Sequence, residues 1–188
     1  MQAPEYAADY LHKLADVVSK VDPAAIGTAV EWIREARRGQ RMVYSCGNGG
    51  SALIASQMVV DIVKGASYGR PERIKMIGLS DNMGTLTAYA NDVSYEVVFV
   101  EQLKNFASRD DVLIGISGSG NSQNVLRAVE YANSIGCKTI GITTATGGRL
   151  KEVAQLPLLV PSDHMGRLED CFFAITHILC YAFIEAGM

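Results

Sequence analysis

The sequence predicts an α/β protein: a five-stranded parallel sheet flanked by helices, with a helical preface before the sheet and a long helix after it. Three observations lead there. After residue 40, five short apolar runs rich in β-formers alternate with helical patterns. The runs are almost continuously apolar, as strands covered on both faces must be. The chain has 188 residues, 48% of them hydrophobic, which is enough for one globular core and not for two.

In the preface, Tyr10, Leu11, Leu14 and Val17 recur at helical spacing, and Ile26, Ala29, Val30 and Ile33 repeat the pattern. Asp22-Pro23 starts the second of these helices, with Pro in the first turn. The expected strands are Arg41–Ser45, Ile74–Leu79, Val112–Ser117, Lys138–Thr143 and Leu156–Val160. Helices are expected over Ser51–Lys64, Val97–Ala107, Ser122–Ile135 and Gly148–Ala154. Strand-then-helix alternation means right-handed crossovers and a doubly wound layer. The last stretch, Arg167–Ala186, reads as a helix apolar around most of its circumference, hence buried in the core or against another subunit. No linker or repeat divides the chain, so residues 1–188 read as one domain, with 1–40 as its preface.

Composition excludes several classes of function. Lys and Arg total 17 against 20 Asp and Glu, a net charge of −3, with no run of like charge to serve as a nucleic-acid footprint. No apolar run approaches the roughly 18 residues that span a bilayer. The opening MQAPEYAADYLHK lacks the basic-then-apolar order of a secretory signal, so a cytoplasmic location is expected. Cys46, Cys137, Cys171 and Cys180 form no CxxC pair and read as reduced core thiols.

Ligands of open parallel sheets sit where strands run into helices. Two such loops stand out, Cys46-Gly47-Asn48-Gly49-Gly50-Ser51-Ala52 after the first strand and Ser117-Gly118-Ser119-Gly120-Asn121-Ser122 after the third. Small residues let backbone N–H groups approach an anion, serine hydroxyls add donors, and each following helix presents its positive end. Neither loop contains GxxxxGK[ST] or GxGxxG, so a phosphate monoester is favoured over a nucleotide.

CGNGGSA at 46–52, AND at 90–92, GISGSGNS at 115–122 and ITHILC at 175–180 resemble the sugar isomerase (SIS) fold and, within it, the phosphoheptose isomerase family. The resemblance implies a three-layer SIS domain that interconverts sedoheptulose 7-phosphate and D-glycero-D-manno-heptose 7-phosphate through an enediol, without an organic cofactor. It implies that Ser51, Ser117, Ser119 and Ser122 hold the phosphate, with Asn48 and Gly49 shaping the pocket and Asp92 and Glu169 near the sugar. Asp61 and His177 fall on the family's acid–base positions, and Arg70 also matches a family position. Some members hold a divalent ion, typically zinc, at the positions that are Gln57, Asp61, Glu169 and His177 here. The chain departs from that pattern: the family's usual glutamate is Asp61, one methylene shorter, a histidine is Gln57, and a glutamine is Glu169. Gly118 and Gly65 also replace larger residues. Two alternatives stay open beside the isomerase: a non-catalytic phosphosugar-binding or regulatory protein, and an isomerase of another ketose phosphate. Family members form homotetramers with active sites at subunit contacts, so assembly through the preface and last helix is expected.

Overall fold

Two helices precede the sheet in the computed structural model, which describes residues 2–187. Helix α1 (Ala3–Ser19) buries only Val17 and leaves Tyr6 and Leu11 exposed. Helix α2 (Pro23–Arg38) is capped by Asp22, whose carboxylate accepts a hydrogen bond from the Ala24 N–H at 2.8 Å. It buries the expected stripe of Ile26, Ala29, Val30 and Ile33.

The alternating part runs β1 (Met42–Gly47), α3 (Gly50–Val60), β2 (Lys75–Gly78), α4 (Met83–Asp92), α5 (Val100–Phe106), β3 (Val112–Ile116), α6 (Gln123–Ser134), β4 (Lys138–Thr144), α7 (Leu150–Val153), β5 (Leu156–Val160) and α8 (Met165–Ile184). All four strand pairings are parallel, in the order β2-β1-β3-β4-β5. Successive strand residues serve opposite faces. Val43, Ile114 and Ile140 pack with α2, α3 and α8, while Tyr44, Leu113, Val125 and Phe99 fill the other side with α5 and α6. The result is the expected three layers.

Strand order places the site. From β1 the chain winds outward to β2, then returns past β1 to β3 and continues in the opposite direction. Carboxyl ends of β1 and β3 therefore diverge into helices on opposite faces and open a crevice, the usual ligand position in such sheets. Both serine–glycine loops leave from these two strand ends.

Three local features depart from expectation. Helix α4 is an addition to the expected elements: MGTLTAYAND has no fully buried residue, and its apolar stripe is limited to Leu86, Tyr89 and Ala90, partly buried against the core. The helix expected over Val97–Ala107 divides into a 3₁₀ turn (Tyr95–Val97) and α5. The helix expected through Lys64 widens into a π-helical turn at Asp61–Gly65, where the Ala66 N–H reaches back to the Asp61 carbonyl at 2.8 Å.

Candidate active site

The crevice between β1 and β3 holds a cavity of about 240 Å³ lined by Asn48, Ser51, Ser117, Ser119, Ser122 and Glu169, among others. Gly49 and Gly120 adopt φ of +54° and +66°, a conformation that disfavours side chains and lets each loop turn back on its helix. Neither helix start is capped by a side chain: Gly49 has none, and Ser122 makes no capping bond to α6. The Ser51 N–H already reaches the Asn48 carbonyl, the Ala52 and Leu53 N–H groups reach that of Gly49, and the Val125 N–H reaches the Asn124 side chain, so what the two helices offer an anion is chiefly their positive ends. The hydroxyls of Ser117 and Ser122 lie 3.1 Å apart, and the Ser117 hydroxyl also accepts from the Gly120 N–H at 3.2 Å. A tetrahedral, multiply accepting anion such as a phosphate monoester suits this donor set.

A polar cluster unforeseen in the sequence bridges the two loops. Asn48 and Asn124 exchange amide hydrogen bonds, each 2.9 Å long, and the Tyr95 hydroxyl donates to the Asn48 oxygen at 2.8 Å. Asn124 follows the second loop by two residues and is only 2% exposed. A buried amide in the first turn of a helix must find polar partners, and that was the available signal.

Helices α3 and α8 leave the cavity side by side and in the same direction. Glu169 lies over Gly50 at their start, so closely that a side chain at 50 would collide with its carboxylate. Further along, the Cys180 thiol faces the Met58 carbonyl at 3.8 Å, and a side chain at Gly65 would meet Ile184. Between these contacts the His177 Nε2 stands 3.6 Å from the Asp61 Oδ2. Gln57 donates to the other Asp61 oxygen at 3.2 Å, whereas Oδ2 is buried with no hydrogen-bond partner. His177 is half exposed, with Phe173 and Tyr181 rings on either side about 6 Å away (6.0 and 5.9 Å between centroids). The pair thus offers one unsatisfied carboxylate oxygen and one accessible imidazole, the equipment for proton transfer.

Comparison with known proteins agrees with this geometry. The SIS domain family matches residues 5–144. A phosphoheptose isomerase of a Nitratiruptor species is 42% identical over 146 residues, 78% of this chain and 78% of that protein. The structure of a phosphoheptose isomerase from Francisella tularensis superposes with a TM-score of 0.91 at 28% identity, covering 98% of this chain and 100% of that one. A Neisseria gonorrhoeae phosphoheptose isomerase gives 0.88 at 25% identity, covering 97% and 98%. The chain belongs to the phosphoheptose isomerase family. It is therefore a member of a family of aldose–ketose isomerases.

The phosphoheptose isomerase frame clarifies the remaining expected residues. Asn48, Ser51, Ser117, Ser119, Ser122 and Glu169 meet at one cavity, and Gly49 supplies the turn between Asn48 and α3 without lining it. Asp92 does not line that cavity; it is exposed at the end of α4 and accepts from Asn91 at 2.8 Å. Arg70 caps α8, donating to its last-turn carbonyls at Phe183 and Ile184. Within one chain the expected four-residue metal set is not assembled. Glu169 precedes His177 by eight residues, about 12 Å of helix axis, and its carboxylate turns to Gly50. Gln57 spends its amide on Asp61. Among the described residues, no three His, Cys, Asp or Glu side chains come together to hold a metal ion. His177, read as embedded in an apolar helix, lies on the outer face of α8 beside Ile178 and Tyr181, since the inner face is taken by Ile175, Leu179, Cys180 and Phe183. Burial pushes the Cys46 thiol up to about 12 and the Cys137 and Cys171 thiols up to about 11, in keeping with unreactive core cysteines. No helix among the described residues is long and apolar enough to cross a membrane.

Proposed function

We propose that this chain converts sedoheptulose 7-phosphate to D-glycero-D-manno-heptose 7-phosphate, with the phosphate in the serine cradle and the reacting carbons beside Asp61 and His177. The observation that carries the reading is the unpartnered Asp61 Oδ2 facing His177. This pair stands two turns of α8 beyond the cavity, about 12 Å along the axis from Glu169. That spacing matches an extended seven-carbon sugar phosphate better than a short one. Names carried by relatives such as the Nitratiruptor protein favour catalysis over the regulatory alternative.

In the proposed reaction the Asp61 carboxylate removes a proton from C1 of the ketose while protonated His177 gives its proton to the C2 carbonyl oxygen. The result is an enediol. His177 then takes the proton from the C1 hydroxyl, forming the aldehyde, and Asp61 returns its proton to C2. Both groups end as they began, so no oxidant and no organic cofactor is consumed. Because the expected zinc set is not assembled, no step is assigned to a metal. Ser51, Ser117, Ser119 and Ser122 hold the phosphate at the positive ends of α3 and α6, which fixes the distance between anchor and reacting carbons.

Assembly completes the proposal. His177, Ile178 and Tyr181 are exposed on α8 around the acid–base pair, and Tyr6 and Leu11 are exposed on α1, whose Tyr10 bonds Asp170 near the start of α8. A homotetramer covering this face, with residues 1–40 in the contact, would exclude water from Asp61 and bring Asp92 of one subunit to the sugar of another. Phosphorylated sugars do not cross membranes unaided, which favours the cytoplasm.

The test is a coupled assay of sedoheptulose 7-phosphate isomerisation, run with and without a chelator and repeated with a hexulose 6-phosphate. The expected result is turnover of the heptulose that persists under chelation. Preference for the hexulose phosphate would replace the substrate, and zinc-restored activity would replace the metal-free mechanism.

A further inference from the structure

We propose that Asn124 is a positioning residue: through its reciprocal amide pair with Asn48 it locks the two loops of the cradle together and presents one Asn48 N–H to the bound phosphate. The inference deepens the proposed function and rests on its reading of the cavity as a phosphate site.

Hydrogen bonding fixes both amides unambiguously. The Val125 N–H donates to the Asn124 oxygen at 2.9 Å, and the Tyr95 hydroxyl donates to the Asn48 oxygen at 2.8 Å. Both oxygens therefore accept from outside the pair, and both –NH2 groups must donate across it, at 2.9 Å each. Asn48 uses one N–H on Asn124; its second has no acceptor among the described residues, and the side chain borders the cavity with Ser51, Ser117 and Ser122.

Topology shows why such a clamp is useful. Asn48 belongs to the turn between β1 and α3, and Asn124 to the first turn of α6, on the other face of the sheet. They span the crevice at which the winding reverses. Loops built on Gly47, Gly49, Gly118 and Gly120 have few side chains of their own with which to fix their separation. A phosphate bound by both needs that separation held to about 0.5 Å. Asn124 is 2% exposed, so its two bonds to Asn48 are shielded from competing water. Tyr95 extends the clamp to the segment after α4, which an Arg127–Glu96 ion pair also fastens to α6.

The experiment measures inorganic phosphate binding by calorimetry, steady-state kinetics with sedoheptulose 7-phosphate, and Tm for N124L, N48A, the double variant and Y95F. N124L should raise the phosphate Kd and the KM about tenfold, the worth of a lost bond to a charged acceptor. Its kcat should stay within about threefold, since the acid–base pair is not disturbed. The double variant should bind phosphate no more weakly than N48A, because Asn124 acts through Asn48. Y95F should raise Kd about threefold and lose that effect in an N48A background, which keeps the test decisive if N124L fails to fold. Additive losses, an unchanged Kd, or a fall in kcat and Tm at constant KM would overturn the proposal. Wild-type protein that binds phosphate without isomerising the heptulose would refute the isomerase reading alone, whereas failure to bind phosphate would refute the clamp as well.

Discussion

The two ends of the α3–α8 groove are built on opposite plans. At the cradle, nearly every polar group is tied to another: Ser117 to Ser122 and Gly120, Asn48 to Asn124 and Tyr95. The receptor exists before any ligand arrives. At the other end, Asp61 leaves one buried oxygen without a partner and His177 stands half exposed on the outer face of α8. Even the backbone differs, tight glycine turns at the cradle and a widened π-helical turn beneath Asp61. Anchoring asks for a fixed array of donors at a strand end, which one chain supplies unaided. Proton transfer asks for groups whose bonding is unfinished, and these reside where α3 and α8 reach the surface.

If the division of labour holds, substitutions at the two ends separate binding from chemistry. The largest effect belongs to Asp61→Asn, which keeps the shape and removes the base. Turnover should fall by about 10³-fold, within the usual range for a general base, while the Kd for inorganic phosphate stays constant. Loss of phosphate affinity would show that Asp61 shapes the cradle too and would dissolve the contrast. The reciprocal change, Ser117→Ala, should weaken phosphate binding roughly tenfold to a hundredfold by removing a donor to a charged oxygen, with kcat affected far less. Calorimetry and steady-state kinetics on both variants complete the comparison.

The same contrast explains what was legible in the sequence. The strands and the two loops could be read because local rules dictate them: continuous apolar runs between turns, and small residues where backbone must meet an anion. Helix α2 could be read from Ile26, Ala29, Val30 and Ile33. Helix α4 could not as easily, since its stripe is only Leu86, Tyr89 and Ala90, three partly buried residues in a ten-residue helix. Asp61 and His177 came from family resemblance rather than from pattern, and their pairing depends on two helices more than 100 residues apart lying parallel, which no local rule contains. The π-helical turn and the pairing of Asn48 with Asn124 were harder to read for a related reason. Each is a tertiary arrangement of residues that are individually unremarkable in sequence. The expected metal quartet does not converge within one chain, because helical spacing gives angles around an axis but not distance along it.

A subtler variant probes the one discordant group in the cradle. Glu169 brings a carboxylate to a cavity whose other polar lining side chains are Asn48 and four serines, compensated by the positive end of α3 at Gly50. A bound phosphate competes for that same helix end and is repelled by the carboxylate. Glu169→Gln should therefore tighten inorganic phosphate about threefold, an effect of the size expected for a partly exposed charge pair, and the gain should shrink as salt rises. If sugar hydroxyls need the carboxylate, sedoheptulose 7-phosphate will not share the gain. A Kd unmoved by the substitution would mean that the helix end holds Glu169 clear of the phosphate.

The smallest effect concerns the stability of the two ends and is read by their own thiols. Cys46 lies at the carboxyl end of β1 beneath the cradle, and Cys180 lies on α8 next to Met58, near the acid–base pair. Burial pushes Cys46 up from 9.0 to about 12, and burial with the neighbouring Asp61 charge pushes Cys180 up as well. The unfolded chain therefore gives up these protons at lower pH than the native protein does. Unfolding releases protons once the pH passes about 9, so stability should be flat below that value and decline above it. Neither thiol should react with iodoacetamide in the native state at pH 8 except through local opening. Cys46 sits in a central strand hydrogen-bonded on both sides, and Cys180 is close to the end of α8. Openings that expose a helix end require less free energy than those that breach a central strand. Mass spectrometry of alkylated peptides should accordingly find Cys180 labelled several times faster than Cys46. Saturating phosphate should slow Cys46 more than Cys180, because the ligand reinforces only the end that holds it. Equal protection of both thiols would mean that the cradle and the acid–base pair open as one unit, and that their independence is chemical without being mechanical.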